Sequence, residues 1–281
     1  MGSGEADPRA YLRGLAERAD SEIDLPVAAL ALAALDRPHV SLERYCEHLT
    51  VLSRDVSACA KKIAPDEDTL ARRIATLNEV IYGGHGYRGD SLNYDDIQNA
   101  NLIRVIDRRR GLPVALGILY IHAARSQGWE VAGINFPAHF MVRLQHRGQR
   151  AIIDPFNEGT VREVAELREM LKTSHGQKAE LDPSHYAAVG NRAILLRLQN
   201  NLKLRLMQGG DNERALAVVE SMLLFAPGEF HLWHDCGMLH AKIGNLRSAI
   251  AALETFLARV KEDGPRHHAA TLLQQIRTRL N

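Results

Sequence analysis

With 281 residues and 46% hydrophobic content, the chain has material for one large core or two medium ones. Its 35 Lys and Arg almost cancel 34 Asp and Glu, and the resulting formal charge of +1 supplies no overall field for nucleic acid or an anionic membrane. No window approaches the roughly 18 consecutive apolar residues of a membrane span, and the opening MGSGEADPRA lacks the apolar core of an export signal.

The cysteines, Cys46, Cys59 and Cys236, are odd in number and lack CxxC spacing. They read as reduced thiols rather than a disulfide framework or zinc site, so a cytoplasmic location is expected, with no metal and no cofactor. After a tail to about residue 8, the segments 9–19, 26–35, 42–61 and 66–82 read as helices, the third with Tyr45, Leu49, Leu52, Val56 and Cys59 on one stripe. Gly83-Gly84-His85-Gly86 lacks the Lys-Ser/Thr pair of a phosphate loop and reads as a turn. Asp95 or Asp96 can cap a helix running to Arg110. Its end, Arg108-Arg109-Arg110, has two readings: complement to the helix dipole, or a guanidinium lining a cleft to bind a carboxylate or phosphate.

Gly111 and Pro113 open the next helix, and from Pro113 to Ala124 only His122 is strongly polar, so this helix has no wet face and belongs in a core. Three strands follow, at 129–135, 138–145 and 150–154. A two-residue turn at Arg147-Gly148 would set Gln145 against Arg150, Arg143 against Ile152 and Met141 against Asp154, which puts His139 and Asp154 on one sheet face. A carboxylate beside an imidazole orients the ring and stabilises its protonated form, the pairing a general base uses.

These words carry a resemblance. The order of buried helix, strand, His-aromatic strand and Ile-Asp-Pro strand resembles the transglutaminase-like core, a papain-related α+β fold. LNEVIYGGHGYRGD at 77–90, NYDDIQNANLIRVIDRRRGLPVAL at 93–116 and GINFPAHFMVRL at 133–144 look more closely like the SirB family, which joins that core to C-terminal tetratricopeptide repeats. The resemblance puts His139 and Asp154 on the histidine and aspartate positions of active members, and Pro113 where those members carry the nucleophilic cysteine. It departs at 99–101, where Ala100 stands in place of an expected serine.

Beyond Phe156 a helix is expected at 161–171, and the polar stretch 173–183 marks a boundary between a domain of residues 1–178 and a second of 179–281. In the second, Gly210 and Gly244, Ala215 and Ala249, and Val219 and Leu253 recur at the tetratricopeptide spacing, with Trp233 and Gly237 at their places in the second repeat. Two repeats need capping helices, expected from Tyr186 onward and at 267–280. Asn200, Asn201 and Lys203 of the first repeat, with His234 and His240 of the second, are the expected lining of a groove for a protein or peptide partner. The fold class is therefore α+β: a helix-rich papain/transglutaminase-like domain with a small antiparallel sheet, then an all-α repeat domain. Function divides between a non-catalytic binding or regulatory protein and a hydrolase or transferase using His139 and Asp154 without a thiol.

Overall fold

The structure, a computed structural model, describes residues 7–137 and 139–280. Residues 1–6 of the expected tail and Ala138, the first residue of the second expected strand, lie outside the described residues. The chain divides into two compact units, one of Ala19–Leu198 and one of Met1–Arg18 with Gln199–Asn281. Helix α1 (Pro8–Leu15) belongs to the latter.

In the first unit α2 (Leu25–Leu35), α3 (Glu43–Ala60) and α4 (Leu70–Asn78) form the expected helical lead-in. On α3 the stripe Tyr45, Leu49, Leu52 and Val56 is buried, whereas Cys59 is half-buried. Helix α4 starts at Leu70 because the Thr69 hydroxyl accepts from Arg72 N at 3.2 Å. It gives way to a wider π turn over Glu79–Gly84. The single helix expected up to Arg110 is broken. A 3-10 turn, Ile97–Ala100, precedes α5 (Leu102–Arg108), since the Asn101 side chain caps α5 through Arg104 N and donates to Ala33 O at 3.2 Å. β1 (Arg88–Gly89) and β2 (Arg110–Gly111) flank α5 as a short parallel pair.

Helix α6 (Pro113–Arg125) is the core helix expected from its sequence, buried along its length except at His122 and Arg125. It lies under an antiparallel sheet of β3 (Glu130–Ile134), β4 (Met141–His146), β5 (Gln149–Asp154), β6 (Thr160–Val161) and β7 (Ala188–Val189), in the order β6-β5-β4-β3-β7. A β-carbon on Gly117 would enter the Phe140 ring and touch Val142, so glycine lets helix and sheet approach. The opposite face carries Ile134, Phe136 and Met141 against Leu167 and Leu171 of α7 (Val164–His175).

The boundary differs from the one expected near residue 178. β7 pairs with β3, and Asp20 caps the start of α8 (Asn191–Gln208) by accepting from Asn191 N at 2.7 Å and Arg192 N at 2.8 Å. Residues 179–198 are thus tied to the sheet unit, and the division falls inside α8. A polar, glycine-containing stretch marked a surface loop, not the end of a fold.

The second unit contains the remainder of α8, α9 (Asn212–Phe225), α10 (Phe230–Lys242), α11 (Leu246–Leu257) and α12 (Asp263–Leu280). Gly210 and Gly244 both adopt positive φ, 78° and 84°, at the turns inside the two repeats. At Gly237 a β-carbon would lie 2.7 Å from Leu253, so this glycine sets the α10–α11 crossing. The array gains an unanticipated neighbour in α1, whose Leu12 and Leu15 are fully buried and which packs on α9.

These close approaches have opposite consequences at two helical glycines. Gly117→Ala should lower stability by about 1–3 kcal/mol through overpacking against Phe140. Gly14→Ala, in α1 with open space around it, should raise it by roughly 0.5–1 kcal/mol. Thermal unfolding of the two variants beside the parent checks both signs.

Candidate functional site

The β4–β5 hairpin positions the two residues that the sequence pairs. Arg147 and Gly148 have φ of 46° and 77°, the two positive values of a type I′ turn, and the resulting register sets Gln145 against Arg150 and Arg143 against Ile152. Continued by two residues, that register brings Met141 opposite Asp154 at the end of β5. His139 lies just before β4, held by a turn in which its N–H donates to Phe136 O at 3.1 Å.

His139 Nε2 donates to Asp154 Oδ1 at 2.8 Å. The Asp154 side chain is fully buried and collects further donors. Oδ1 also accepts from the backbone N–H groups of Phe156 and Asn157 at 3.1 and 3.3 Å. Oδ2 accepts from Asn157 Nδ2 at 2.8 Å and from Arg162 Nε and Nη2 at 3.2 and 2.9 Å. Burial pushes this carboxyl up, yet the hydrogen bonds from His139, Asn157 and Arg162 outweigh it and hold the group well below the usual carboxylate range. Asp154 is therefore an anion shared between an imidazole and a guanidinium. The His139 side chain keeps 16% exposure, and its ring meets Phe156 edge-on at 6.3 Å. Phe156 in turn meets Tyr94, and next to it in the chain the loop exposes Leu92.

Pro113 is buried at the first position of α6. Four residues later on the same helical face, Gly117 abuts Phe140, the neighbour of His139. That face presents carbon atoms toward Phe140. The cysteines lie elsewhere: Cys46 and Cys59 on α3, Cys236 on α10. Burial raises the Cys46 and Cys236 thiols, the latter to about 11, so neither is a thiolate at neutral pH.

The three arginines go to different partners. Arg108 pairs with Asp90 at 3.0 Å and Asp96 at 3.5 Å and donates to Asn99. Arg109, in a left-handed conformation, donates to His48 Nε2 at 2.8 Å and to the Tyr87 hydroxyl. Burial, then the Arg109 charge, lowers His48 to about 4, so a neutral ring accepts that bond. Arg110 is exposed, and its guanidinium donates to the preceding carbonyl, Arg109 O, at 3.1 Å. Arg108 and Arg109 are thus committed to internal partners, which corrects the reading of either as a free cleft guanidinium.

The expected groove residues also separate. Lys203 is buried and pairs with Asp235 on α10 at 2.6 Å, and His234 lies 3.6 Å from the same carboxylate. His240 faces Glu220 of α9 at 3.9 Å. Lys203 and His240 thus join helices to one another instead of facing a groove, and His234 is engaged with its neighbour on α10. Asn201 Oδ1 accepts from Arg205 at 3.1 Å, and Asn200 is half-buried beside the exposed Leu204.

Sequence reasoning missed Arg162 and Asn157. Arg162 reaches Asp154 because β6 turns the chain back beside β5, with Arg162 N donating to Ile152 O at 2.8 Å. No local pattern announces that contact. Asn157 had a signal in Asp-Pro-Phe-Asn, a turn whose first carboxylate accepts from backbone two and three residues on.

A buried helix against an antiparallel sheet, with histidine and aspartate meeting at the ends of adjoining strands, defines a transglutaminase-like core. A family model described as the transglutaminase-like superfamily matches residues 43–200, and a tetratricopeptide repeat model matches 202–281. The chain belongs to the transglutaminase-like superfamily. Within it, the chain is 30% identical over 253 residues to a UPF0162 protein of Vibrio cholerae serotype O1, covering 90% of each. It is 25% identical over 238 residues to Protein SirB1 of Salmonella typhimurium, covering 84% of this chain and 86% of that one. A solved structure of menin overlaps 94% of the chain at 10% identity and a TM-score of 0.39, too loose a likeness to bear on function.

Asp154→Ala, which strands His139 and Arg162, should destabilise the protein by about 3–5 kcal/mol. A change at the exposed Glu169 should cost far less. Because the folded-state pKa of Asp154 is depressed, its contribution is complete above the pKa of an unfolded carboxylate and is lost as pH falls toward the folded value. The melting-temperature gap between the parent and Asp154→Asn should be constant above about pH 5 and narrow below about pH 4. A gap that widens in acid would contradict the assignment.

Proposed function

We propose that the protein is a non-catalytic member of its superfamily, a protein-binding or regulatory module whose repeat unit takes a protein or peptide partner. One observation carries this reading: Pro113 stands at the start of α6, where the family's covalent chemistry requires a thiol. The ion cluster around Asp154 supports it, since a carboxylate shared between His139 and Arg162 ties the end of β5 to the segments before β4 and after β6. Three free thiols suit a reducing compartment, and we place the protein in the cytoplasm. Among the described residues, no helix is long and apolar enough to cross a membrane.

The second reading, a hydrolase or transferase in which His139 activates water, draws on the exposure of the ring and on Nδ1, for which the described residues provide no hydrogen-bond partner. Hydrolysis of a panel of fluorogenic esters and amides by the parent and by His139→Gln separates the two. The binding reading expects equal background rates, whereas a loss of about 100-fold in His139→Gln would establish general-base catalysis.

For the repeats, Asn200→Ala with Leu204→Ser should weaken capture of a partner without moving the melting temperature, because both side chains reach solvent on one face of α8. Lys203→Glu should instead lower the melting temperature, since it sets a carboxylate against the half-buried Asp235. Pull-down from lysate and thermal unfolding, run on the same variants, check the pair of outcomes.

A further inference from the structure

The sheet has an edge that its own chain leaves open. β6 pairs with β5 only at Ile153 and Asp154, and the chain departs after Arg162 N donates to Ile152 O. In an antiparallel strand, alternate residues direct both backbone polar groups to the same side. Ile152 O and Asp154 O, the latter accepting from Gly159 N at 3.0 Å, both point toward β6. Arg150, two residues earlier, therefore points its N–H and C=O past the end of β6, and no described residue pairs with either. A groove of about 710 Å³ lies beside this edge, between α4 and the β5–β6 pair, with Gln149, Arg150 and Ala151 at its β5 end and Gly159, Thr160 and Val161 on its β6 side. Its α4 wall is formed by Ile74 and the exposed Ala71 and Ala75, whose small side chains leave room, and no carboxylate lines it.

We infer that this edge binds an extended peptide as an added strand, with an acidic residue opposite Arg150 and an apolar residue on each side of it. The pattern follows from the pleat. A residue opposite Arg150 shares its sheet face, and the residues before and after turn to the other face. That other face is the one carrying Ala151 and Ile153, where α4 and α6 pack and where apolar side chains would meet Ala71, Ile74 and Ala75. Charge selects the central residue: Arg147 and Arg150 are exposed along the edge, and the nearby Asp68 is already held by Arg73 at 2.7 Å. The same charge argues against a second copy of this chain, because two-fold pairing centred on Arg150 sets guanidinium against guanidinium. The surface lies wholly within the sheet unit and is independent of the repeat surface proposed above.

The test uses the full chain and fluorescein-labelled Gly-Ser-Val-Glu-Val-Ser-Gly, an analogue with Lys in place of Glu, and an analogue N-methylated at Glu. Fluorescence anisotropy should show the Glu peptide binding at least about tenfold tighter than either analogue, since one loses the charge pair and the other a ladder hydrogen bond. Arg150→Glu should reverse the preference toward the Lys peptide, and Arg150→Pro should weaken binding of the Glu peptide by removing the edge N–H. Equal binding of the three peptides, or a preference unmoved by Arg150→Glu, overturns the proposal. So does binding abolished by Asn200→Ala with Leu204→Ser, which would assign the peptide to the repeats. Sedimentation showing self-association that Arg150→Glu abolishes would give the edge to a second copy and overturn it as well.

Discussion

The fully buried carboxylate of Asp154 is the constraint on which the sheet unit depends. A bare anion in that place would cost several kcal/mol of desolvation, so the surrounding chain must bring donors to it. They come from four directions: His139 ahead of β4, the backbone of Phe156 and Asn157 in the turn after β5, the Asn157 amide, and Arg162 where β6 leads into α7. Each donor fixes a different segment. The anion thereby determines how β4 begins, how β5 ends and where α7 starts, and the Tyr82 hydroxyl adds a lock by donating to Pro155 O at 3.0 Å. Arg162 and the two backbone N–H groups answer much of the Asp154 charge, which is what allows a carboxylate to stay ionised in that place.

The start of α6 adds a second constraint. Proline at the first position of a helix sacrifices no intrahelical hydrogen bond, and its fixed φ suits the entry. α6 gains a rigid, buried start there. The helix is also buried on nearly all sides, and Gly117 lets Phe140 rest against its backbone.

Legibility in the sequence tracked the range of the interaction. The β4–β5 register was readable because it rests on two adjacent residues, Arg147 and Gly148, and the repeats were readable because their spacing recurs. The His139–Asp154 pair followed from that register. Arg162 did not, because its approach depends on a strand of two residues with no pattern of its own. The domain boundary failed for a related reason: the capping of α8 by Asp20 joins residues 171 positions apart, and no window of sequence contains both. Lys203 was misread because exposure was inferred from polarity, whereas its ammonium pairs with Asp235 one helix away.

Short edge strands connect these observations. The sheet ends in β6 and β7, each of two residues, so neither margin offers a long run of unpaired backbone, which limits uncontrolled strand addition. After Arg162 the chain leaves β5 because Glu163 and Glu166 open α7, the Glu166 carboxylate accepting from Glu163 N at 2.8 Å. A longer β6 would cover Arg150 and leave Arg162 in place, since its N–H already bonds Ile152 O and its side chain reaches Asp154 from there. The open stretch of β5 is thus a consequence of where α7 begins, and the exposed arginines beside it restrict what can be added there.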